Sequence, residues 1–170
     1  MKKMIIALGL VGGMIMAIMA AESRAANPAN NNAELLAIAT IAKFEGFSTK
    51  PYKCPGGKMT IGYGFTDPDL VKKGTITRQE ADRELGKRVR KELVFIRTHV
   101  QGLTPRQEAA VVSFVYNVGH QAFLDSTFLK KLKASDMTAA KAEIQKWVYA
   151  KGKKLNGLVR RRQAEAKLLA

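Results

Sequence analysis

The sequence has a single cysteine and two histidines among its 170 residues. One cysteine excludes a disulfide within the chain, and the scarcity of both residue types excludes a zinc finger built from them. Acidic residues are also few, because 14 Asp and Glu stand against 29 Lys and Arg, which gives a formal charge of +15. This charge implies an anionic partner, and it leaves open whether that partner is nucleic acid, acidic lipid or a cell-wall polymer.

The first 25 residues have the composition of an export segment. Lys2 and Lys3 precede an uncharged run over 4–21, and small residues near Ala25 suit cleavage before Ala26. The run is also just long enough to cross a bilayer, although its glycines and alanines make it weakly apolar. Two hypotheses stay open for residues 1–25, a cleaved secretory signal and an uncleaved, releasable anchor. Both take the domain out of the cytoplasm.

The remainder of the chain predicts one domain after a short linker. Residues 26–32 are rich in asparagine and predict a polar linker. The domain would span 33–170, since the chain's 46% hydrophobic and 25% charged residues are typical of globular proteins. Leucine and isoleucine recur at helical spacing over 33–45, and Gly46 ends that helix. Residues 48–66 carry prolines and glycines between short apolar stretches, which predicts a hairpin or small sheet.

From Thr77 onward the pattern predicts helices to the end of the chain. Thr77 and Thr104 are expected to cap two of them, and three more are expected over 126–132, 138–150 and 157–169. The order of elements predicts an α+β fold with a small β lobe, a helical lobe and a cleft between them. Clefts of this kind are where ligands bind.

Glu45 is the first candidate for chemistry. It ends the first predicted helix, at the negative pole of the helix dipole and between Phe44 and Phe47. Both the dipole and the apolar neighbours favour the protonated form of the carboxyl group. A carboxylic acid that keeps its proton can protonate the leaving oxygen of a glycosidic bond. A solvated glutamate at a helix end is the alternative interpretation.

The spacing of Glu45, Cys54 and Thr60 is the most informative motif, because eight residues separate the first two and five separate the next two. Thr60 also opens the sequence Thr-Ile-Gly-Tyr-Gly. Here the chain resembles the phage-type lysozymes, or endolysins, of glycoside hydrolase family 24. An uncleaved anchor over 1–25 would make it one of the signal-arrest-release type. The resemblance covers about 33–169 and continues downstream in 113–119, 123–127, 147–152 and 157–165.

The resemblance implies a lysozyme-like fold and muramidase activity. This activity is hydrolysis of the β-1,4 bond between N-acetylmuramic acid and N-acetylglucosamine in peptidoglycan, which lyses bacterial cells. Glu45 would be the general acid, while Cys54 and Thr60 would position the attacking water in an inverting reaction. The predicted substrate contacts are Tyr63, Tyr116, Asn117 and Ser126. For Ser126, capping of a helix is the alternative.

The partners follow from the same resemblance. We expect a periplasmic monomer that binds peptidoglycan, uses no cofactor or metal, and does not bind nucleic acid. Its N-terminal segment would interact with the inner membrane. A non-catalytic cationic protein that binds the cell wall or the membrane is the alternative, and the charge is its only support.

Cys54 and the arginines near the C-terminus raise two separate questions. Most family members carry Asp where this chain has Cys54, and an ordinary thiol, with a pKa near about 8.5, is mostly protonated at neutral pH. We therefore expect activity to rise toward alkaline pH, with an inert, buried cysteine as the alternative. One of Arg160, Arg161 and Arg162 could pair with Glu45 and oppose its protonation.

Overall fold

The computed structural model describes residues 28–54 and 57–170. The predicted export segment over 1–25 lies outside the described residues, so both hypotheses for it stay predictions. Within the described ranges, no helix combines the length and the apolar character that crossing a membrane requires.

The described chain is mostly helical. Its elements in order are α1 (Pro28–Glu45), β1 (Ser48–Lys53), β2 (Met59–Gly62), α2 (Pro68–Lys73), α3 (Arg78–His99), α4 (Pro105–Val118), α5 (His120–Leu124), α6 (Thr127–Lys133), α7 (Met137–Ile144), β3 (Tyr149–Ala150), β4 (Lys153–Lys154) and α8 (Asn156–Leu168). Strands β1 and β2 form an antiparallel pair, and so do β3 and β4. This architecture confirms the predicted α+β fold, with a small β lobe and a larger helical lobe.

The helix starts follow the capping signals in the sequence. The Thr77 and Thr104 side chains accept hydrogen bonds from the backbone N–H groups of Glu80 and Gln107. Glu80 and Gln107 in turn reach back to the cap residues, so both capping boxes are complete. These reciprocal bonds satisfy backbone groups that would otherwise lack partners at the starts of α3 and α4.

Four segments differ from the prediction. Helix α1 begins at Pro28, inside the predicted linker, because a proline fits a first helical turn and the polar residues at 31–32 face solvent. Helices α2 and α5 lie where no helix was predicted. The helix predicted over 138–150 is wrong beyond Ile144, since 149–154 form the β3–β4 hairpin. Lys151 and Gly152 turn that hairpin with positive φ values of 50° and 74°.

Helix α4 is the centre of the helical lobe. Residues 108–115 of this helix are all buried, because α1, α3 and α8 pack around it. Toward the C-terminal end of α4, the Phe114 ring meets Phe128 edge-on at 5.0 Å and Trp147 at 5.3 Å between ring centroids. Because α1 and α8 both pack on α4, the C-terminal end of α1 is held close to α8.

Candidate active site

Glu45 lies where α1, the β1–β2 hairpin and α8 meet. Its side chain is 22% exposed, and its Oε1 accepts a hydrogen bond of 2.7 Å from Arg161 Nη1. Its Oε2 faces Gly64, where an added Cβ would be only 3.2 Å away. The two carboxyl oxygens therefore have different surroundings, one fixed by a cation and the other against the backbone of the segment after β2.

The two glycines of the Thr60–Gly64 motif are required by the backbone. Gly62 and Gly64 have φ values of +64° and +81°, which side chains rarely allow. A Cβ on Gly62 would also lie 2.7 Å from the Phe65 ring. The turn closes with two backbone hydrogen bonds between Ile61 and Phe65, of 2.9 and 2.8 Å. The glycines thus allow a tight turn that brings the chain against Glu45.

Arg161 is held from three sides. Its side chain is 4% exposed, and Nη1 donates to Glu45 as described. Its Nη2 donates to the Ser113 carbonyl at 3.0 Å, and its Nε donates to Glu165 Oε1 at 3.2 Å. This arrangement decides the question left open by the sequence, because Arg161 is the arginine that pairs with Glu45.

Arg162 is fully buried beside the carboxylate of Glu165. Its Nη1 lies 3.1 Å from Glu165 Oε2, yet among the described residues neither atom has a well-aligned hydrogen bond. Its Nη2 donates to Asn117 Oδ1, and its guanidinium lies 4.8 Å from the Phe114 ring centroid. Burial lowers the pKa of Arg162 to about 10, while the charge of Glu165 acts in the opposite direction.

Cys54 and Thr60 belong to the β1–β2 hairpin, which follows Glu45 in the sequence. Cys54 is half-buried and directly follows β1, where its N–H donates to the Lys58 carbonyl at 2.9 Å. Thr60 is a buried residue of β2, paired with Tyr52, and its hydroxyl donates to the same Lys58 carbonyl at 3.2 Å. Their predicted part in positioning water stays a prediction.

Tyr63 and Tyr116 connect the hairpin to the helical lobe. The Tyr116 hydroxyl donates to the Tyr63 carbonyl at 3.0 Å. The buried Tyr63 donates its own hydroxyl to Asp82 at 2.7 Å and accepts from Arg78 at 2.8 Å. Burial raises the pKa of both tyrosines, further assisted by Asp82 at Tyr63 and by the negative charge of Glu45 at Tyr116. Their contact with substrate stays a prediction.

Asn117 and Ser126 have different surroundings. Asn117 is exposed and lines the cavity described below. The buried Ser126 accepts from the Leu129 N–H at 3.0 Å and donates to the Phe123 carbonyl at 2.6 Å. The capping interpretation of Ser126 is confirmed, and its contact with substrate stays a prediction.

A cavity of about 730 Å³ lies beside Glu45. Its volume is in the range of ligand pockets in proteins. Glu45 and Asn117 line the cavity, and its basic lining includes Lys43, Arg160 and Lys167. Over 28–54 and 57–170, no group of three or more His, Cys, Asp or Glu could hold a metal ion.

Two members of this site were not identified as functional residues from the sequence. Ser113 and Glu165 were part of the family-like segments, but neither was assigned a role. The four-residue spacing of Arg161 and Glu165 on a predicted helix was the available signal, since such residues face one another. Their link to Glu45 depends on contacts between distant parts of the chain.

Comparison with known proteins gives consistent results. The family model described as phage lysozyme matches residues 42–165. An endolysin of Acyrthosiphon pisum secondary endosymbiont phage 1 is 39% identical over 136 residues, covering 77% of this chain and 92% of that protein. A SAR-endolysin of Bacteriophage PS119 is 36% identical, covering 71% and 73%. The solved muramidase domain of SpmX from Asticaccaulis excentricus superposes with a TM-score of 0.71 at 29% identity, covering 78% and 93%.

Proposed function

The chain belongs to the phage lysozyme family, and from this premise we propose that it is an exported muramidase with Glu45 as its general acid. The family membership supports degradation of peptidoglycan. The bond proposed is the β-1,4 linkage between N-acetylmuramic acid and N-acetylglucosamine. The observation that carries the assignment is a carboxyl group at the wall of a ligand-sized cavity, with one oxygen held by a buried arginine.

The asymmetric surroundings of Glu45 suit proton donation. Arg161 fixes Oε1, so the proton would be carried on Oε2 and transferred to the bridging oxygen of the glycan. When the proton leaves, Glu45 becomes an anion beside a cation that is already in place. Arg161 therefore stabilises the charge that develops on the acid during bond cleavage.

The hairpin would supply the second half of the reaction. Cys54, as its thiolate, would take a proton from a water molecule that the Thr60 hydroxyl helps to hold. The water oxygen then bonds to the anomeric carbon as the glycosidic bond breaks, and the leaving oxygen receives the proton of Glu45. Such an inverting reaction needs about 6.5–9.5 Å between the two groups, to leave room for the water.

The basic lining of the cavity suits an anionic polymer. Lys43, Arg160 and Lys167 lie on the same cavity as Glu45, in a chain with a formal charge of +15. Peptidoglycan carries free carboxylates on its stem peptides, so the charges of enzyme and substrate are complementary.

The names of several relatives support a releasable anchor over 1–25. The similar protein of Bacteriophage PS119 is named a SAR-endolysin, and so is that of Escherichia phage Mu. We propose that the segment tethers the domain at the inner membrane on its periplasmic side until release. The N-terminal residue of the mature protein tests this, because Met1 indicates a retained anchor and Ala26 a cleaved signal.

Glu45→Gln tests the enzymatic assignment. On purified cell walls we expect its clearing rate to fall at least 100-fold, since general acid catalysis contributes about 10²–10⁴-fold. Glu34→Gln is the matched control, because Glu34 lies on the same helix, has the same 22% side-chain exposure and also pairs with an arginine. Equal clearing by wild type and Glu45→Gln would favour the non-catalytic cationic protein instead.

The products test the bond and the chemistry. A muramidase releases fragments that end in reducing N-acetylmuramic acid, which mass spectrometry identifies. Fragments lighter by one water would instead show that a sugar hydroxyl, and not water, attacked the anomeric carbon. That result would refute the hydrolytic step while keeping Glu45 as the acid.

A further inference from the structure

Glu165 is a buried carboxylate that the proposed reaction does not use. Its side chain is 0% exposed, in the middle of α8. Acidic side chains are almost never fully buried unless they are paired. Burial raises the pKa of Glu165, and Arg162, Ser113 and Arg161 act against that rise. Such a group requires an explanation beyond packing.

One oxygen of Glu165 fixes the arginine that contacts the general acid. Oε1 accepts from Ser113 Oγ at 2.7 Å and from Arg161 Nε at 3.2 Å. The Ser113 carbonyl holds Arg161 Nη2, so the guanidinium plane is determined by two buried residues before it meets Glu45. Because the fork is planar, fixing two of its nitrogen atoms also aims the third.

The other oxygen faces the arginine that contacts Asn117. Arg162 Nη1 lies 3.1 Å from Glu165 Oε2, and Nη2 of the same arginine donates to Asn117 Oδ1. Glu45 and Asn117 both line the cavity. A single buried carboxylate therefore lies behind two arginines that reach the same cavity at two different residues.

We propose that Glu165 is a positioning residue for the reaction, which orients Arg161 toward Glu45 and Arg162 toward Asn117. The inference rests on the proposed function of Glu45. Apolar residues often replace buried ion pairs without loss of stability, so a buried carboxylate behind two arginines that reach one cavity points to a role beyond stability.

The test is the kinetics of the Glu165→Gln enzyme. Gln keeps the shape but has one acceptor oxygen and no charge, so it can still accept from Ser113 and Arg161 only if its NH2 group, a donor, faces Arg162. At least one of the two arginines therefore loses its partner, and we expect kcat to fall at least tenfold while KM changes less than about twofold. Glu108→Gln is the matched control, a buried glutamate of the same lobe that pairs with Arg97 at 2.6 Å and lies on another helix. It is expected to lose stability with kcat unchanged.

A second variant keeps the proposal testable if Glu165→Gln does not fold. Ser113→Ala removes the hydroxyl that donates to Glu165 Oε1 and leaves the backbone carbonyl that holds Arg161, so kcat is expected to fall in the same way by a smaller amount. An unchanged kcat in the variants that fold overturns the positioning role. If Glu45→Gln is as active as wild type, the proposed function fails and this inference fails with it. An inactive Glu45→Gln together with an unchanged kcat in the Glu165 and Ser113 variants overturns the inference alone.

Discussion

The guanidinium of Arg161 lies 2.7 Å from the carboxylate of Glu45, although the two residues are 116 positions apart in the chain. The contact joins α8 to the end of α1. Under the proposed function, it stabilises the anion that proton donation would leave on Glu45.

Replacing Arg161 with Met removes the cation beside Glu45. The anion that forms on Glu45 during bond cleavage then lacks its stabilising charge, so the maximal rate is expected to fall at least tenfold. The buried Glu165 also loses a partner, and we expect the free energy of unfolding to fall by about 3 kcal/mol. Initial rates and denaturant unfolding measure the two effects. Arg97→Met serves as the control, and an equal fall in rate for both variants contradicts the assignment.

Gly64→Ala, compared with Gly74→Ala, separates the cost of backbone strain from an effect on catalysis. Gly64 and Gly74 have nearly equal φ values of +81° and +79°, so alanine is expected to destabilise both sites by about 1–2 kcal/mol. Only at Gly64 would the new Cβ lie 3.2 Å from Glu45 Oε2, while at Gly74 the nearest atom is 4.0 Å away. We expect at least a tenfold loss of kcat for Gly64→Ala and none for Gly74→Ala. Equal rates in the two variants would refute the close approach.

Cys54→Asp tests the thiol as the second catalytic group. An aspartate is ionised throughout the neutral range, so the rise of wild-type activity toward alkaline pH is expected to disappear. Cys54→Ser, whose hydroxyl does not ionise in this range, is expected to lose most activity at every pH. The measurement is initial rate against pH at constant ionic strength. Identical profiles for wild type and Cys54→Asp would show that the thiol takes no part.

The lowered pKa of Glu80 predicts that the protein loses stability in acid. A hydrogen bond from Lys73, followed by bonds from Thr77, lowers the pKa of Glu80 from 4.5 to about 2. Its ionised form therefore stabilises the fold above pH 4.5, and this contribution is lost as the pH falls toward 2. Glu80→Gln keeps the capping geometry and should lower the melting temperature at pH 7 with no difference near pH 2. A constant difference across this range contradicts the expectation.

Local signals in the sequence were sufficient for much of the fold. The caps at Thr77 and Thr104 and the glycines of the hairpin act through neighbours within a few residues, so their effects can be predicted without the structure. The β3–β4 hairpin could not be predicted from the sequence, because Val148 and Tyr149 continue a helical pattern until Lys151 and Gly152 turn the chain back. Short strands have too few residues for a clear period of two.

Candidate residues for part of the site could be selected from the sequence, because that selection also rests on local signals. Spacing and resemblance selected Glu45, Cys54 and Thr60, but three consecutive arginines gave no reason to choose Arg161. The choice depends on the rotation of α8 against α4, which places Arg161 and Glu165 together beside Ser113. Packing between distant segments sets that rotation, and a sequence pattern does not contain it.

Trp147 is the single tryptophan of the chain, and its ring packs on Phe114 in the helical lobe. Intrinsic fluorescence excited at the indole therefore monitors the melting of that lobe and is insensitive to local loosening of the hairpin around Gly64. A variant with a disturbed hairpin can give an unchanged emission curve and still be inactive. Backbone hydrogen exchange at 59–65 is the measurement suited to that region.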